Sequence, residues 1–235
     1  MKVGVVVFPG SNCDRDALHA VRLAGAAGEL LWHERTDLHG ADALILPGGF
    51  AHGDYLRTGA IARFSPIMGA VREHAAHGGL VLGICNGFQV LTEAGMLPGA
   101  LLRNRSLRFE HGWVTVSVER RDTPFTAAVP AGTRLRLPIA HGEGCFYAPA
   151  DQLAALEARG GVLLRYTGPE GNPNGSLNDI CGVIDDRGRV AGLMPHPERA
   201  AESLLGSDDG MFLLRSLVAN VAEAMSRAGQ DVAVA

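Results

Sequence analysis

Residues 83–87, Gly-Ile-Cys-Asn-Gly, constrain the fold more than any other short stretch of the chain. They follow the apolar residues 79–82 and lead into residues 88–94, which have a helical pattern. Glycines two residues before and two after the central position allow a sharp strand-to-helix turn, because a Cβ at either place would collide where strand and helix cross. The stretch therefore predicts a strand, a tight turn and a helix.

Cys85 occupies the centre of this turn, where the backbone is strained and the side chain is lifted clear of the sheet. The free N–H groups at the start of the following helix favour thiolate over thiol, as a reactive cysteine requires. A buried, inert cysteine would also fit a strand end, since free cysteine is among the most buried residue types. The pentapeptide alone leaves both interpretations open.

The first 94 residues alternate between strand and helix patterns. Apolar runs predict strands at residues 3–8, 30–33, 43–46 and 79–82, and helical spacing predicts helices at residues 14–28, 66–77 and 88–94. Such alternation implies a parallel sheet with right-handed crossovers.

The pattern changes after residue 95. Alternating residues predict half-exposed strands at 113–118 and 134–137, a hairpin is predicted at 180–184 and 190–194, and a last helix at 211–225. We therefore expect an α/β fold with a mostly parallel central sheet flanked by helices and antiparallel additions in the C-terminal half. No linker-like segment interrupts the sequence, so one domain over residues 1–235 is expected.

Composition narrows the functional class. A hydrophobic content of 47% and 31 glycines fit a glycine-rich α/β enzyme, and a net charge of −4 argues against nucleic-acid binding. The apolar residues 3–8 are too few for a signal peptide, and no apolar stretch approaches the ~20 residues of a membrane span. We expect a cytoplasmic protein without membrane contact. The four cysteines lack metal-ligand spacing, so neither a metal site nor a disulfide framework is expected.

A reactive cysteine needs a base, and two His-x-Glu segments could supply it: residues 141–143 and 196–198. Alternate residues of an extended segment point to the same side, so either glutamate could orient its histidine. Pro197 holds the second pair extended, whereas Gly142 leaves the first pair loose. His196 also follows an apolar strand, where active-site residues of open sheets gather. These arguments favour His196 without excluding His141.

Acyl transfer through a thiolate also needs donors for the developing oxyanion. The N–H of Asn86 follows the cysteine directly, and Gly48 and Gly49 at the end of a neighbouring predicted strand offer a second donor. Taken alone, the two glycines equally fit an ordinary turn.

Three segments together resemble the class I, triad-type glutamine amidotransferases: residues 47–50 (Pro-Gly-Gly-Phe), 83–89 (Gly-Ile-Cys-Asn-Gly-Phe-Gln) and 195–199 (Pro-His-Pro-Glu-Arg). Segments at residues 8–14, 49–57, 139–144 and 171–176 further resemble the glutaminase subunits of phosphoribosylformylglycinamidine synthases, and they span nearly the whole chain. The resemblance implies a flavodoxin-like α/β fold.

The resemblance also assigns roles to residues. It implies Cys85 as nucleophile, His196 as general base and acid, and Glu198 as the residue that orients His196. The N–H groups of Gly49 and Asn86 would form the oxyanion hole. The resemblance further implies three substrate-binding residues: Gln89, Gly142 and Glu143. The last two would form a wall of the glutamine pocket.

The implied reaction is hydrolysis of L-glutamine to glutamate and ammonia through a thioester, with the ammonia used by another chain. The sequence has no G-x-x-x-x-G-K-[ST] phosphate loop, so no cofactor is expected on this chain. ATP and magnesium are expected in a partner synthetase subunit that converts formylglycinamide ribonucleotide to formylglycinamidine ribonucleotide in purine biosynthesis. A small third subunit is also expected. The polar residues 168–179 are a candidate docking surface or a plain connecting loop.

Two other classes of protein could use the same turn. A stand-alone cysteine hydrolase or peptidase would need the same nucleophile, and a non-catalytic binding protein could keep the fold. The intact pair of His196 and Glu198 disfavours the binding protein, and the segments typical of purine biosynthesis disfavour the peptidase.

Overall fold

The computed structural model describes residues 1–233, so the last two residues of the expected domain lie outside it. Its first half consists of β1 (Lys2–Val7), α1 (Asp14–Leu23), β2 (Ala27–Trp32), β3 (Ala43–Leu46), α2 (Ile67–Ala76), β4 (Leu80–Ile84) and α3 (Asn86–Glu93). Strands and helices alternate in the predicted order. The predicted end of the first helix is wrong, because Gly25 takes a φ of 93° and turns the chain into β2.

The second half contains β5 (Ala100–Leu102), β6 (Glu110–Val118), β7 (Arg134–His141), β8 (Cys145–Tyr147), α4 (Ala150–Ala158), β9 (Val162–Thr167), β10 (Ile180–Ile184), β11 (Val190–Leu193) and α5 (Gly210–Ala233). The predicted strands, hairpin and last helix are all present. Strands β5, β8 and β9 and helix α4 were not predicted. Helix α4 buries only Leu156, which leaves it little periodic signal.

One nine-stranded sheet runs through the protein in the order β2-β1-β3-β4-β11-β10-β9-β6-β7. The first five strands are parallel, and β10, β9, β6 and β7 continue the sheet in antiparallel pairs. A separate antiparallel pair joins β5 to β8. This arrangement confirms the expected fold class.

The central strands β3, β4 and β11 are buried along their whole length, as expected for parallel strands covered on both faces. Large apolar side chains such as Phe8, Phe88 and Leu82 fill the space between sheet and helices. By contrast, β6 and β7 alternate buried with more exposed residues. Among the helices of residues 1–233, none combines the length and apolar character that crossing a bilayer requires.

The topology brings four strand ends together at one edge of the sheet. In the parallel registers, Leu46 of β3 lies beside Gly83 of β4, and Leu193 of β11 lies beside Ile84. Because parallel strands end at the same edge, the loops after β1, β3, β4 and β11 meet there. Gly49, Cys85, His196 and Glu198 lie on these loops.

Candidate active site

The turn after β4 has the strained geometry that its glycines predict. Cys85 takes φ 49° and ψ −103°, a conformation that residues with side chains seldom adopt. A Cβ on Gly87 would lie 1.9 Å from the carbonyl oxygen of Leu46, and one on Gly83 would lie 2.7 Å from the backbone of Gly87. Only glycine fits at these two positions. A side chain at either one would collide where helix α3 packs against strands β3 and β4.

His196 and Glu198 form a buried pair on the loop after β11. The Nδ1–H of His196 donates to Oε1 of Glu198 over 2.6 Å, and both residues are only 2% exposed. The φ of −101° and ψ of 91° at His196 are extended, as expected before a proline. The backbone N–H of His196 donates to Pro138 of β7 over 2.9 Å, which fixes the loop from the other side.

Two thiols, those of Cys85 and Cys13, lie beside the imidazole of His196. Burial lowers the pKa of His196, but Glu198 and then the two thiols outweigh it, so this pKa is raised well above its ordinary value. Neither thiol makes a well-formed hydrogen bond to Nε2 of His196, which is buried without a partner among the described residues. The thiol of Cys85 instead donates to the carbonyl of Ala140 over 3.7 Å.

The two candidate oxyanion donors lie at the start of α3 and on the loop after β3. Asn86 is the first residue of α3, so its N–H is among those that have no partner within the helix. Gly49 takes a φ of 144°, and a Cβ there would lie 2.7 Å from the backbone nitrogen of Asn12. At the preceding position, a Cβ on Gly48 would lie 2.6 Å from Cε1 of His196. The Gly-Gly pair is therefore required by close packing against the site.

Gln89 lies one turn along α3 from Cys85, and side-chain hydrogen bonds fix its position. Its Oε1 accepts from Nδ2 of Asn86 over 2.9 Å, and its Nε2 donates to the backbone carbonyl of Glu143. The carboxylate of Glu143 accepts from Oγ1 of Thr58 over 2.8 Å. Burial, followed by the charge of Glu143, raises the pKa of nearby Asp54 to about 6. This part of the site is polar and acidic.

His141 is buried but is not paired with Glu143. Its Nδ1–H donates to Oδ1 of Asn104 over 3.1 Å, and Asn104 also accepts from the N–H of Gly144 over 3.0 Å. The N–H of Asn104 donates to the carbonyl of Gly142 over 3.0 Å. Burial and then the nearby His196 lower the pKa of His141 to about 4. His141 is thus a neutral residue within a structural network.

The loop at residues 168–179 packs against this network and forms hydrogen bonds with it. Asn174 is fully buried, and its Nδ2 donates to the carbonyl of Gly144 over 2.8 Å and to the hydroxyl of Tyr166 over 3.1 Å. The hydroxyl of Ser176 accepts from the N–H of Phe146 over 2.9 Å. The loop therefore has a structural contact on its inner side, and its outer side stays a predicted docking surface.

Several residues near the site were missed by the sequence analysis. Cys13 directly precedes α1 on the loop after the first parallel strand, a position that the strand-end rule could have identified. Asn104 and Asn174 gave no such signal, because a buried asparagine in a loop looks like any turn residue in sequence. Asp54 and Thr58 lie in a segment of positive-φ residues that periodicity does not describe.

Known proteins similar to this chain identify its family. Residues 1–208 match the family of CobB/CobQ-like glutamine amidotransferase domains. A curated relative from Rubrobacter xylanophilus, phosphoribosylformylglycinamidine synthase subunit PurQ, is 61% identical over 93% of this chain and 98% of its own length. The protein of the same name from Gloeobacter violaceus is 56% identical over 94% of this chain and 98% of its own length.

Solved structures show the same relationship. A chain of the PurLQS structure from Thermotoga maritima is 44% identical to this protein, with a TM-score of 0.85 over 94% of this chain and 98% of that one. A glutamine amidotransferase from the same organism, at 18% identity and a TM-score of 0.61 over 95% of this chain and 98% of its own, shares the fold. The chain thus belongs to the class I glutamine amidotransferases, in the family of the phosphoribosylformylglycinamidine synthase subunit PurQ.

Proposed function

We propose that this chain is the glutaminase subunit of a phosphoribosylformylglycinamidine synthase, with Cys85, His196 and Glu198 as its catalytic residues. The observation that carries the proposal is the meeting of Cys85 with the buried pair of His196 and Glu198 at the ends of β4 and β11. A nucleophile beside a base that a third group orients is the arrangement that acyl transfer requires.

In the first half of the reaction, Sγ of Cys85 attacks the side-chain amide carbon of L-glutamine. The N–H groups of Gly49 and Asn86 stabilise the oxyanion that forms, an effect worth about 3 kcal/mol for each donor. His196 accepts the proton of the Cys85 thiol and transfers it to the leaving ammonia, and Glu198 holds its ring in the required tautomer. The products of this half are ammonia and a γ-glutamyl thioester.

In the second half, His196 accepts a proton from water, which attacks the thioester and releases glutamate. Glutamine binds with its amino-acid end toward Gln89, Gly142 and Glu143. Their positions support this assignment, because Gln89 contacts the backbone of Glu143 one helical turn from the nucleophile.

The ammonia passes to a synthetase subunit, which uses it with ATP and magnesium to convert formylglycinamide ribonucleotide to formylglycinamidine ribonucleotide. This chain itself binds neither ATP nor magnesium in the proposed scheme. The relatives support a complex, since they are named as synthase subunits and the similar chain from Thermotoga maritima comes from a structure named PurLQS. A small third subunit belongs to the proposed assembly.

The proposal is tested with 6-diazo-5-oxo-L-norleucine, a glutamine analogue that alkylates an attacking thiol. We expect one adduct per chain, on Cys85, by peptide mass spectrometry. In the complex with its synthetase, Cys85→Ser should lower glutamine-dependent synthesis at least ~10³-fold and leave ammonia-dependent synthesis intact. Cys145→Ser, at a half-buried cysteine, is the matched control and should keep both.

Two results would contradict the proposal. An adduct on Cys13 would move the nucleophile to the other thiol beside His196. Failure of ammonia to replace glutamine in the Cys85→Ser complex would remove the amide-donor role.

A further inference from the structure

Cys13, His196 and Glu198 form a second cluster of reactive groups around the imidazole. The Sγ of Cys13, a ring nitrogen of His196 and a carboxylate oxygen of Glu198 all lie within 4.8 Å of one another. All three residues are 2% exposed. Cys13 is held there by its N–H, which donates to the carbonyl of Gly48 over 3.2 Å. The proposed glutaminase mechanism gives Cys13 no role.

Two polar atoms of this cluster lack partners. Nε2 of His196 and Oε2 of Glu198 are both buried without a hydrogen-bond partner among residues 1–233. Buried polar atoms in proteins are almost always satisfied, so each unpaired one needs an explanation. Catalysis explains a free Nε2, but it does not explain the free second oxygen of Glu198.

The chemistry of the three groups matches that of a zinc site. Zinc is bound in proteins by thiolate, imidazole and carboxylate, commonly by three protein ligands with water in the fourth position. A thiolate and a carboxylate together would neutralise the charge of a divalent cation. The nearby cation Arg199 is itself paired, because its Nε donates to Asp16 over 3.0 Å.

A surface cavity lies beside the cluster, on the side of α1. It has a volume of about 620 Å³ and is lined by Glu198 and Arg199, together with Asp16 and Glu202. Its acidic side chains favour the approach of a cation.

We propose that Cys13, His196 and Glu198 bind zinc, and that the bound ion inhibits the glutaminase reaction. A neutral imidazole has one lone pair, and a metal ion on either ring nitrogen uses it. His196 then cannot accept a proton, whichever nitrogen holds the ion. The inhibition rests on the proposed function, but the binding site does not.

Binding is tested on the purified full-length chain with Zn²⁺ in competition with a chromophoric chelator, and with Co²⁺ as a spectroscopic probe. We expect one ion per chain and a thiolate-to-cobalt charge-transfer band. Cys13→Ala should weaken zinc binding roughly 100-fold or more and abolish the band, because it removes the sulfur ligand. Cys85→Ala should keep both, as should the matched control Cys145→Ala. If Cys13→Ala unfolds by circular dichroism, Cys13→Ser serves in its place.

Three binding results would overturn the site: no zinc bound by the wild-type chain at micromolar concentration, equal affinity in Cys13→Ala, or loss of the band in Cys85→Ala. Inhibition is measured in the synthetase complex, as a fraction of each variant's own zinc-free activity. Zinc should inhibit the wild type reversibly and Cys13→Ala far less. Equal inhibition of the two would refute the inhibitory role. Absence of zinc-free glutaminase activity would instead refute the proposed function, while the cobalt spectrum would still decide the site.

Discussion

The chain contains the tripeptide pattern His-x-Glu twice, and the two copies have opposite properties. His196 is paired with Glu198 over 2.6 Å, and its pKa is raised. His141 is paired with Asn104 instead, and its pKa is lowered to about 4. Glu143 turns away from His141 to accept a hydrogen bond from Thr58.

The difference follows from the residue in the middle and from the surrounding backbone. Pro197 begins a tight turn that returns the carboxylate of Glu198 toward the ring of His196. Gly142 imposes no such turn, so each side chain of the other copy finds its own partner. The same two side chains become an acid–base pair or two structural contacts, depending on the residue between them and on what packs around them.

The largest expected effect is on catalysis, and it differs between the two glutamates, Glu198 and Glu143. Glu198→Gln removes the negative charge that stabilises the imidazolium and no longer fixes its tautomer, so kcat for glutamine hydrolysis should fall about 10³–10⁴-fold. Glu143→Gln keeps most of the hydrogen bonds of its site and should raise KM up to about tenfold with little change in kcat. Steady-state ammonia release by the synthetase complex measures both parameters.

Ammonia-dependent synthesis is the control for both variants, since neither change touches the synthetase. Equal losses of kcat in the two variants would show that the copy at residues 141–143 is catalytic as well. A loss confined to KM in Glu198→Gln would contradict its role in orienting His196.

A smaller effect is expected on stability at Asn104, which supports the copy of the pattern at residues 141–143. The side chain of Asn104 is fully buried and bonds to His141, Gly144 and the carbonyl of Arg108. Asn104→Ala leaves these groups unpaired away from water, so the free energy of unfolding should fall by about 3 kcal/mol. Urea unfolding measures the change.

Asn220→Ala is the matched control, because among the described residues the Asn220 side chain makes a single hydrogen bond, to the carbonyl of Ser216 on the same helix. This substitution should lower the free energy of unfolding by less than about 1 kcal/mol. If the two variants are equally stable, the network around His141 does not stabilise the fold.

The contrast between the copies was only partly predictable from the sequence. Pro197 correctly predicted an extended His196, because the effect of proline on the residue before it is local. The expectation that the whole His-Pro-Glu segment is extended was wrong, because Pro197–Arg199 form a short 3-10 turn. The choice of His196 as general base stays a prediction. The elbow was likewise predictable from Gly83 and Gly87, whose requirement is steric. The partner of His141 was not, because Asn104 reaches it through tertiary packing between segments distant in sequence.

The position of Cys13 was likewise only partly predictable from the sequence. Its place at the start of α1 follows from the strand pattern, but its contact with His196 depends on the order of β1, β3, β4 and β11 in the sheet. Spacing along the chain does not encode that order. Periodicity and turn chemistry thus predicted most of the elements and the tight turn at Cys85, whereas side-chain partners across the sheet edge required the structure.

The smallest expected effect is a pH dependence of stability due to His141. Burial and His196 lower its pKa to about 4 in the folded protein, while an unfolded histidine titrates near 6.5. As pH falls below about 6.5, the unfolded chain takes up a proton that folded His141 refuses, so stability is lost. This loss amounts to about 2 kcal/mol between pH 7 and pH 5. His141→Gln should remove it, measured as the difference in unfolding free energy between the two pH values.

Protonation of Asp54 changes the stability in the opposite direction to protonation of His141. Variants of the two residues should therefore give opposite results. The pKa of Asp54 is raised to about 6 by burial and by Glu143, so the folded protein takes up this proton first and gains stability as pH falls. Asp54→Asn should therefore steepen the acid loss, by about 1 kcal/mol at most because the carboxyl is half-exposed. If His141→Gln leaves the acid loss unchanged, His141 is protonated in the folded state, and the two copies differ less than their hydrogen bonds indicate.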